Sequence, residues 1–167
     1  LSSPSRRVVT SDYAKPALNL AKAHGLETSH VNLYRTLSLL APRDAGFDGP
    51  FDIDANHLLE QVGHVARGNN LRLSRMAVRP GGAAVMTTWG KPAPDVNFSD
   101  PTTWHLEKYE IAREAKQYGL QAEFFDIPAT GHAADRRPYA VQFSAGTGNI
   151  NLPPKERTLK NQLRRLA

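Results

Sequence analysis

One stretch limits the possible folds more than any other: DPTTWHLEKYEIAREAKQYGLQAEFFDI, residues 100–127. Its first part has helical spacing. Asp100 is placed to cap it, Pro101 suits the first turn, and Trp104, Ile111, Ala112, Ala115 and Tyr118 form one stripe. Gly119 is a helix stop, and residues 121–127 then read as a strand. A helix handed to a strand through a single glycine rules out an all-helical or an all-strand chain. Residues 138–144, PYAVQFS, supply the next strand across a polar loop.

The remaining segments read less regularly. Residues 1–10 are expected to be a flexible arm with Ser-Ser-Pro-Ser turn chemistry. A helix is expected over 11–24, with Ala14, Ala17, Leu18 and Ala21 on one face and Gly25 ending it. Residues 31–39 alternate as a strand, and 41–54 form a loop with turns at Gly46 and Gly49-Pro50. Asp54 is placed to cap a helix over 55–67 with Leu58, Leu59, Val62 and Val65 inward and Gly68 as terminator. Strands follow at 70–78 and 83–89, separated by the turn Arg79-Pro80-Gly81-Gly82. Leu159, Leu163 and Leu166 share one face of a short basic helix at the end of the chain. The mixed order favours an α+β fold: one compact domain over 11–152, a mixed sheet of about five strands, and three to four helices.

A length of 167 residues suits a single core. With 40% hydrophobic and 22% charged residues the composition is that of a globular protein. No apolar run approaches the roughly 20 residues that span a bilayer, and LSSPSRRVV is not a signal peptide. A soluble protein is expected, in a bacterial cytoplasm or exported without a cleavable signal. The chain has no cysteine, which removes disulfides, thiolate metal ligands and cysteine nucleophiles. Papain-like hydrolysis fails on that ground. The net charge of +5 is concentrated in residues 153–167, where five basic side chains face only Glu156. A surface that grips phosphates along its length would spread them.

VNLYRTLSLL, residues 31–40, sets a puzzle, because Arg35 falls on the apolar side of the expected strand. A guanidinium there needs a partner, since stranding its charge costs several kcal/mol. Two solutions stand: a structural salt bridge to Asp52, Asp54 or another carboxylate, or a pocket that receives a phosphate or ribose.

The sequence LYRTLS resembles the first strand of the ADP-ribosyltransferases, in which an arginine follows an aromatic residue. GFDGPFDIDANHLLEQVGHV, LRLSRMAVRPGGAAVM and LQAEFF follow in that family's order. The last holds Gln121-Ala122-Glu123, similar to the family's Gln-x-Glu. The resemblance covers residues 31–128. It implies an ADP-ribosyltransferase-like fold, NAD as substrate, no metal, and a bacterial effector or toxin acting on a macromolecule, most simply a protein. On that resemblance Glu123 stabilises the charge developing on the ribose, Gln121 positions the acceptor, and Arg35 and Ser74 hold the dinucleotide. Only Ser74 remains of the family's Ser-Thr-Ser, with Leu73 and Arg75 beside it, so a binding-only relative is the other form.

Other residues carry weaker patterns. His57 and His64 sit on one face of the expected 55–67 helix with Glu60 and Gln61 between them. They stand about 10.5 Å apart along its axis, too far to share a metal unaided. His105 and Glu110 belong to a solvated helix face, and SAGTGN matches neither a P-loop nor G-x-G-x-x-G. The alternative function is a non-enzymatic module that engages an acidic protein or nucleic acid through the basic tail and the Arg136-Arg137 loop.

Overall fold

The fold was described from a computed structural model. It covers residues 7–46, 51–78, 81–90, 106–128 and 137–146. The expected terminal helix at 153–167 lies outside the described residues. Among the described residues the chain forms an α+β domain with four helices and strands of both directions.

Strand β1 is Val9–Asp12, helix α1 Lys15–Ala23 and strand β2 Glu27–His30; the two strands pair in parallel. The carboxylate Oδ1 of Asp12 accepts the Ala14 N–H at 2.7 Å, which turns the chain out of β1. Pro16 fixes the first turn of α1, and Gly25, at φ +76, ends it as expected. β1 begins two residues inside the stretch read as an arm.

The expected strand over 31–39 does not form. Asn32 turns its side-chain oxygen onto the Tyr34 N–H at 3.0 Å, a local bond that competes with a sheet ladder. A 3-10 turn follows over Thr36–Leu40, then the short helix α2, Ala41–Asp44. Alternation in this stretch therefore has no sheet behind it: Leu37 is 81% exposed and Arg35 is exposed too. The puzzle of a buried arginine dissolves.

Residues 53–78 differ most from expectation. Ile53–Asn56 is strand β3, Leu59–Gln61 a 3-10 turn, and His64–Val78 one long helix, α3. The expected 55–67 helix and 70–78 strand are thus a strand and a helix in the opposite order. The buried residues Ala66, Asn70, Leu71, Ser74, Ala77 and Val78 repeat at helical spacing. Gly68 sits inside α3 rather than at its end. The Tyr118 hydroxyl packs where a β-carbon at 68 would stand, so glycine is the hollow that lets Tyr118 in.

Strand β4, Ala84–Trp89, runs parallel to β3. Helix α4, Lys108–Gln117, is capped by Glu107 in a reciprocal box with Glu110, whose carboxylate accepts the Glu107 N–H at 2.8 Å. Asp100 lies outside the described residues. Gly119, at φ +68, ends the helical stretch as the sequence indicates, and β5 (Leu120–Asp126) and β6 (Pro138–Ala145) follow as antiparallel neighbours. The sheet order is β3-β4-β6-β5, with β6 antiparallel to both neighbours.

The main core forms on one face of this sheet. Met86, Val141, Phe143 and Leu120 meet Leu71 of α3 and Ile111 of α4. Arg67 of α3 reaches Glu114 of α4 through two nitrogens, at 3.0 and 2.9 Å, and its third nitrogen donates to the Val62 carbonyl at 2.7 Å. A buried guanidinium with that set of acceptors locks the two helices in one geometry.

Candidate functional site

The carboxyl ends of the parallel strands bring together the groups most suited to chemistry. β3 ends at Asn56, and His57 continues the ladder by donating its N–H to the Thr87 carbonyl at 2.9 Å. It does so at φ +53, a left-handed conformation unusual for a residue with a β-carbon. The imidazole then stacks on Trp89, with ring centroids 4.6 Å apart and planes inclined by 19°.

Its Nδ1 lies 3.0 Å from Glu60 Oε1. Glu60 is 0% exposed, and its other oxygen accepts the Thr88 hydroxyl at 2.6 Å. A buried carboxylate is retained only when its lone pairs are met, and both oxygens have a donor here. The carboxylate oxygen needs a hydrogen, so Nδ1 carries the proton and Nε2 is the ring's acceptor. The His57 side chain is 42% exposed, so a base oriented by a buried acid faces an accessible surface. Asn56 accepts the Thr87 hydroxyl at 2.9 Å beside it.

Tyr139 reports the same environment. Burial raises its phenol pKa well above the usual value, and the charge of Glu60 acts in the same direction, as do Glu110 and Glu107. The hydroxyl stays protonated and donates to the Leu106 carbonyl at 3.1 Å.

The first two strands form their own sheet. Asp12 closes β1 and His30 closes β2. The loop after β2 is pinned to the larger half: the Leu33 carbonyl accepts Asn69 Nδ2 at 2.6 Å, and the Tyr34 hydroxyl accepts the Gly63 N–H at 3.3 Å. An open cavity of about 550 Å³ is lined by His30, Arg35 and Asp44, with the 3-10 turn residues Thr36, Leu37 and Ser38.

Of the four residues expected to share a dinucleotide site, Gln121 and Glu123 share one face of β5, while Arg35 stands before the 3-10 turn and Ser74 in α3. Arg35 lines this cavity, whose walls among the described residues come from residues 30–44. Ser74 is fully buried and spends its hydroxyl on the Asn70 carbonyl one helical turn back, at 2.9 Å. Gln121 and Glu123 stand exposed on the edge strand β5, opposite Ser144 and Gln142. The expected 55–67 helix would carry both His57 and Glu60, whereas His57 follows β3 and Glu60 lies in the 3-10 turn. The signal that separates them is a histidine directly after FDIDAN with an acid three residues on.

No protein-family model matches the sequence, and no curated protein matches it. Solved structures do. LepI in complex with SAM superposes with a TM-score of 0.57 at 14% identity, over 85% of this chain and 37% of that one. The CcbJ methyltransferase from Streptomyces caelestis gives 0.60 at 14% identity, over 84% of this chain and 75% of its own. The [4+2]-cyclase SpnF gives 0.58 at 10% identity, over 85% and 67%. This chain therefore spans little more than a third of LepI. At such identities the likeness is one of fold. It overturns the resemblance to ADP-ribosyltransferases, and with it NAD as the cofactor and the reading as a secreted toxin or effector. The short motifs that carried that resemblance fall on a loop, a helix and an edge strand of a different architecture. The comparisons do not favour a binding module acting through the basic tail either.

Proposed function

We propose that this chain forms part of a domain of the S-adenosylmethionine-dependent methyltransferase kind, with its site at the carboxyl ends of β1 to β4. In open α/β sheets ligands bind at that end of the strands, outside the turn between sheet halves. The residues suit such a cofactor. Asp12 offers carboxylate oxygen to a ribose diol. The His57–Trp89 stack and the buried negative charge of Glu60 are compatible with a sulfonium cation. When bound, the cofactor supplies an electrophilic methyl group.

The single observation that carries the reading is the His57–Glu60 pair. Nε2 is placed to take the proton of an oxygen or nitrogen acceptor as that atom is alkylated. Glu60 holds the ring in the required tautomer and offsets the imidazolium charge. Trp89 covers one ring face and limits its rotation. SpnF is a cyclase in the same fold, so fold alone does not select the chemistry. A buried acid orienting an accessible base favours group transfer.

The test is a nuclear magnetic resonance titration with S-adenosylhomocysteine into the millimolar range. Resonances of Asp12, Asn32 and His57 are expected to shift in a saturable way. His57→Ala is expected to keep the Asp12 shift while lowering methyl transfer about 10²- to 10⁴-fold, the usual contribution of a general base. No shift at Asp12 or His57 would remove the cofactor assignment.

A further inference from the structure

The open cavity after β2 carries charge of both signs on its wall: Arg35, just before the 3-10 turn, and Asp44, at the end of α2. Its volume of about 550 Å³ is in the range of small-molecule sites. Three opposite-charge pairs elsewhere close on each other: Arg7 with Glu27, Arg67 with Glu114, and Lys108 with Asp126. Arg35 and Asp44 do not. Among the described residues neither side chain has an ion pair or a hydrogen bond, and neither do the hydroxyls of Thr36 and Ser38 on the same wall.

His30 stands beside them. Its Nε2 lies 3.0 Å from the Tyr13 carbonyl, which can only accept. Nε2 therefore carries the hydrogen, and Nδ1 of the neutral ring is left as an acceptor. Leu37 and Ala41 add an apolar part to the wall. The segment that bears these groups is tied down at both ends. Asn69 Nδ2 holds the Leu33 carbonyl at 2.6 Å, and the Arg7 guanidinium holds the Ala45 carbonyl. A wall anchored in this way has less freedom to lose when a ligand arrives.

We propose that this cavity receives the headgroup of an α-amino acid, with the carboxylate on Arg35 and the ammonium on Asp44. A planar guanidinium offers two parallel N–H donors to a carboxylate, and the Thr36 and Ser38 hydroxyls can add to them. Asp44 and His30 Nδ1 supply acceptors for the N–H groups of an ammonium. Leu37 and Ala41 then suit an aliphatic side chain. A simple anion would satisfy Arg35 and meet repulsion from Asp44, and a simple cation the reverse. The two unmatched charges thus select a ligand that carries both. Lys15 and Lys22 line a second cavity that shares His30, so an anion is the rival ligand. Asp12, His57 and Glu60 are not among the residues that line either cavity, and the amino acid is a ligand separate from the proposed cofactor.

The experiment follows amide resonances of the 167-residue chain by nuclear magnetic resonance as L-leucine is added into the millimolar range. Saturable shifts at Arg35, Thr36, Ser38 and Asp44 are expected. Isocaproate keeps the carboxylate and lacks the amine; isoamylamine keeps the amine and lacks the carboxylate. Each is expected to bind at least about tenfold more weakly, the loss of one charge-assisted contact. Arg35→Gln and Asp44→Asn, both at exposed positions, should each weaken leucine binding by a similar factor. Should either variant lose its native spectrum, the three ligands on the unaltered chain decide the matter. No saturable shift at these positions overturns the proposal. So does sulfate bound as tightly as leucine, which would make the cavity an anion site. Displacement of leucine by S-adenosylhomocysteine overturns the assignment to a separate ligand. The leucine series involves no S-adenosyl compound, so its failure is separable from failure of the methyltransferase reading, which is tested at Asp12 and His57.

Discussion

The two sheets are stabilised in different ways. In the four-stranded sheet, Met86 and Val141 are 0% exposed and Phe143 is 1% exposed, all against α3 and α4. Among the described residues the β1-α1-β2 unit buries Leu18 and the segment after it buries Val31, Leu39 and Ala41, all outside the main core cluster. Its strands read VTSD and ETSH, polar sequences that pack little. Leu20, Leu26, Tyr34 and Leu37 of the same region stay exposed. Stability therefore resides in the larger sheet, while the smaller unit holds Asp12, one of the residues proposed to receive the ligand. Regions that receive ligands are commonly drawn from the low-stability end of a fold.

The largest effect that would sharpen this contrast comes from the cores themselves. Phe143→Ala is expected to destabilise by about 3–5 kcal/mol in denaturant unfolding, the range for a buried aromatic. Leu18→Ala, outside the main cluster, should cost clearly less. Equal losses would mean that the two units share one cooperative core. Next comes Arg67→Ala, which strands Glu114 and frees the Val62 carbonyl. A loss of about 2–4 kcal/mol is expected, discounted because Glu114 is 21% exposed. The pair joins α3 to α4, so exchange should rise across the large half first.

Alkaline pH offers a third probe of the same half. The folded state holds the Tyr139 proton more tightly than the unfolded chain, which releases it near a pH of about 10. Above that pH the native state binds more protons, so stability is full below it and falls as pH rises further. Tyr139→Phe should flatten this alkaline limb, and an unchanged limb would assign it to another group. The smallest effect tests the join between the halves. Asn69→Ala removes the bond to the Leu33 carbonyl and the one that Asn69 accepts from Arg72 within the same helix, at a cost of about 1 kcal/mol for the link between the halves. Faster exchange confined to residues 31–35 is expected; a global loss would show that the link supports the whole fold.

Where a pattern is carried by neighbours in the chain, the sequence alone suffices. β4, β5 and β6 follow from apolar runs bounded by turns, and the stops at Gly25 and Gly119 from the left-handed conformation each requires. Residues 53–78 were not decidable in this way, because FDIDANHLLEQVGHVARGNNLRLSRMAV carries helical and alternating periods together. Pairing of β3 with β4 and the seat of Tyr118 against Gly68 selected one of them. Arg35 shows the converse: its alternating neighbours promised a sheet that the Asn32 turn removes.

The site divides along the same line. His57 and Glu60 are visible as a spacing of three residues, and that much belongs to the sequence. Thr88 and Trp89, which satisfy the buried carboxylate and hold the ring, arrive on β4, with Thr88 28 residues from Glu60 along the chain. Burial raises the cost of an unmatched charge and so defines which partners must converge, and burial exists only once the strands have paired.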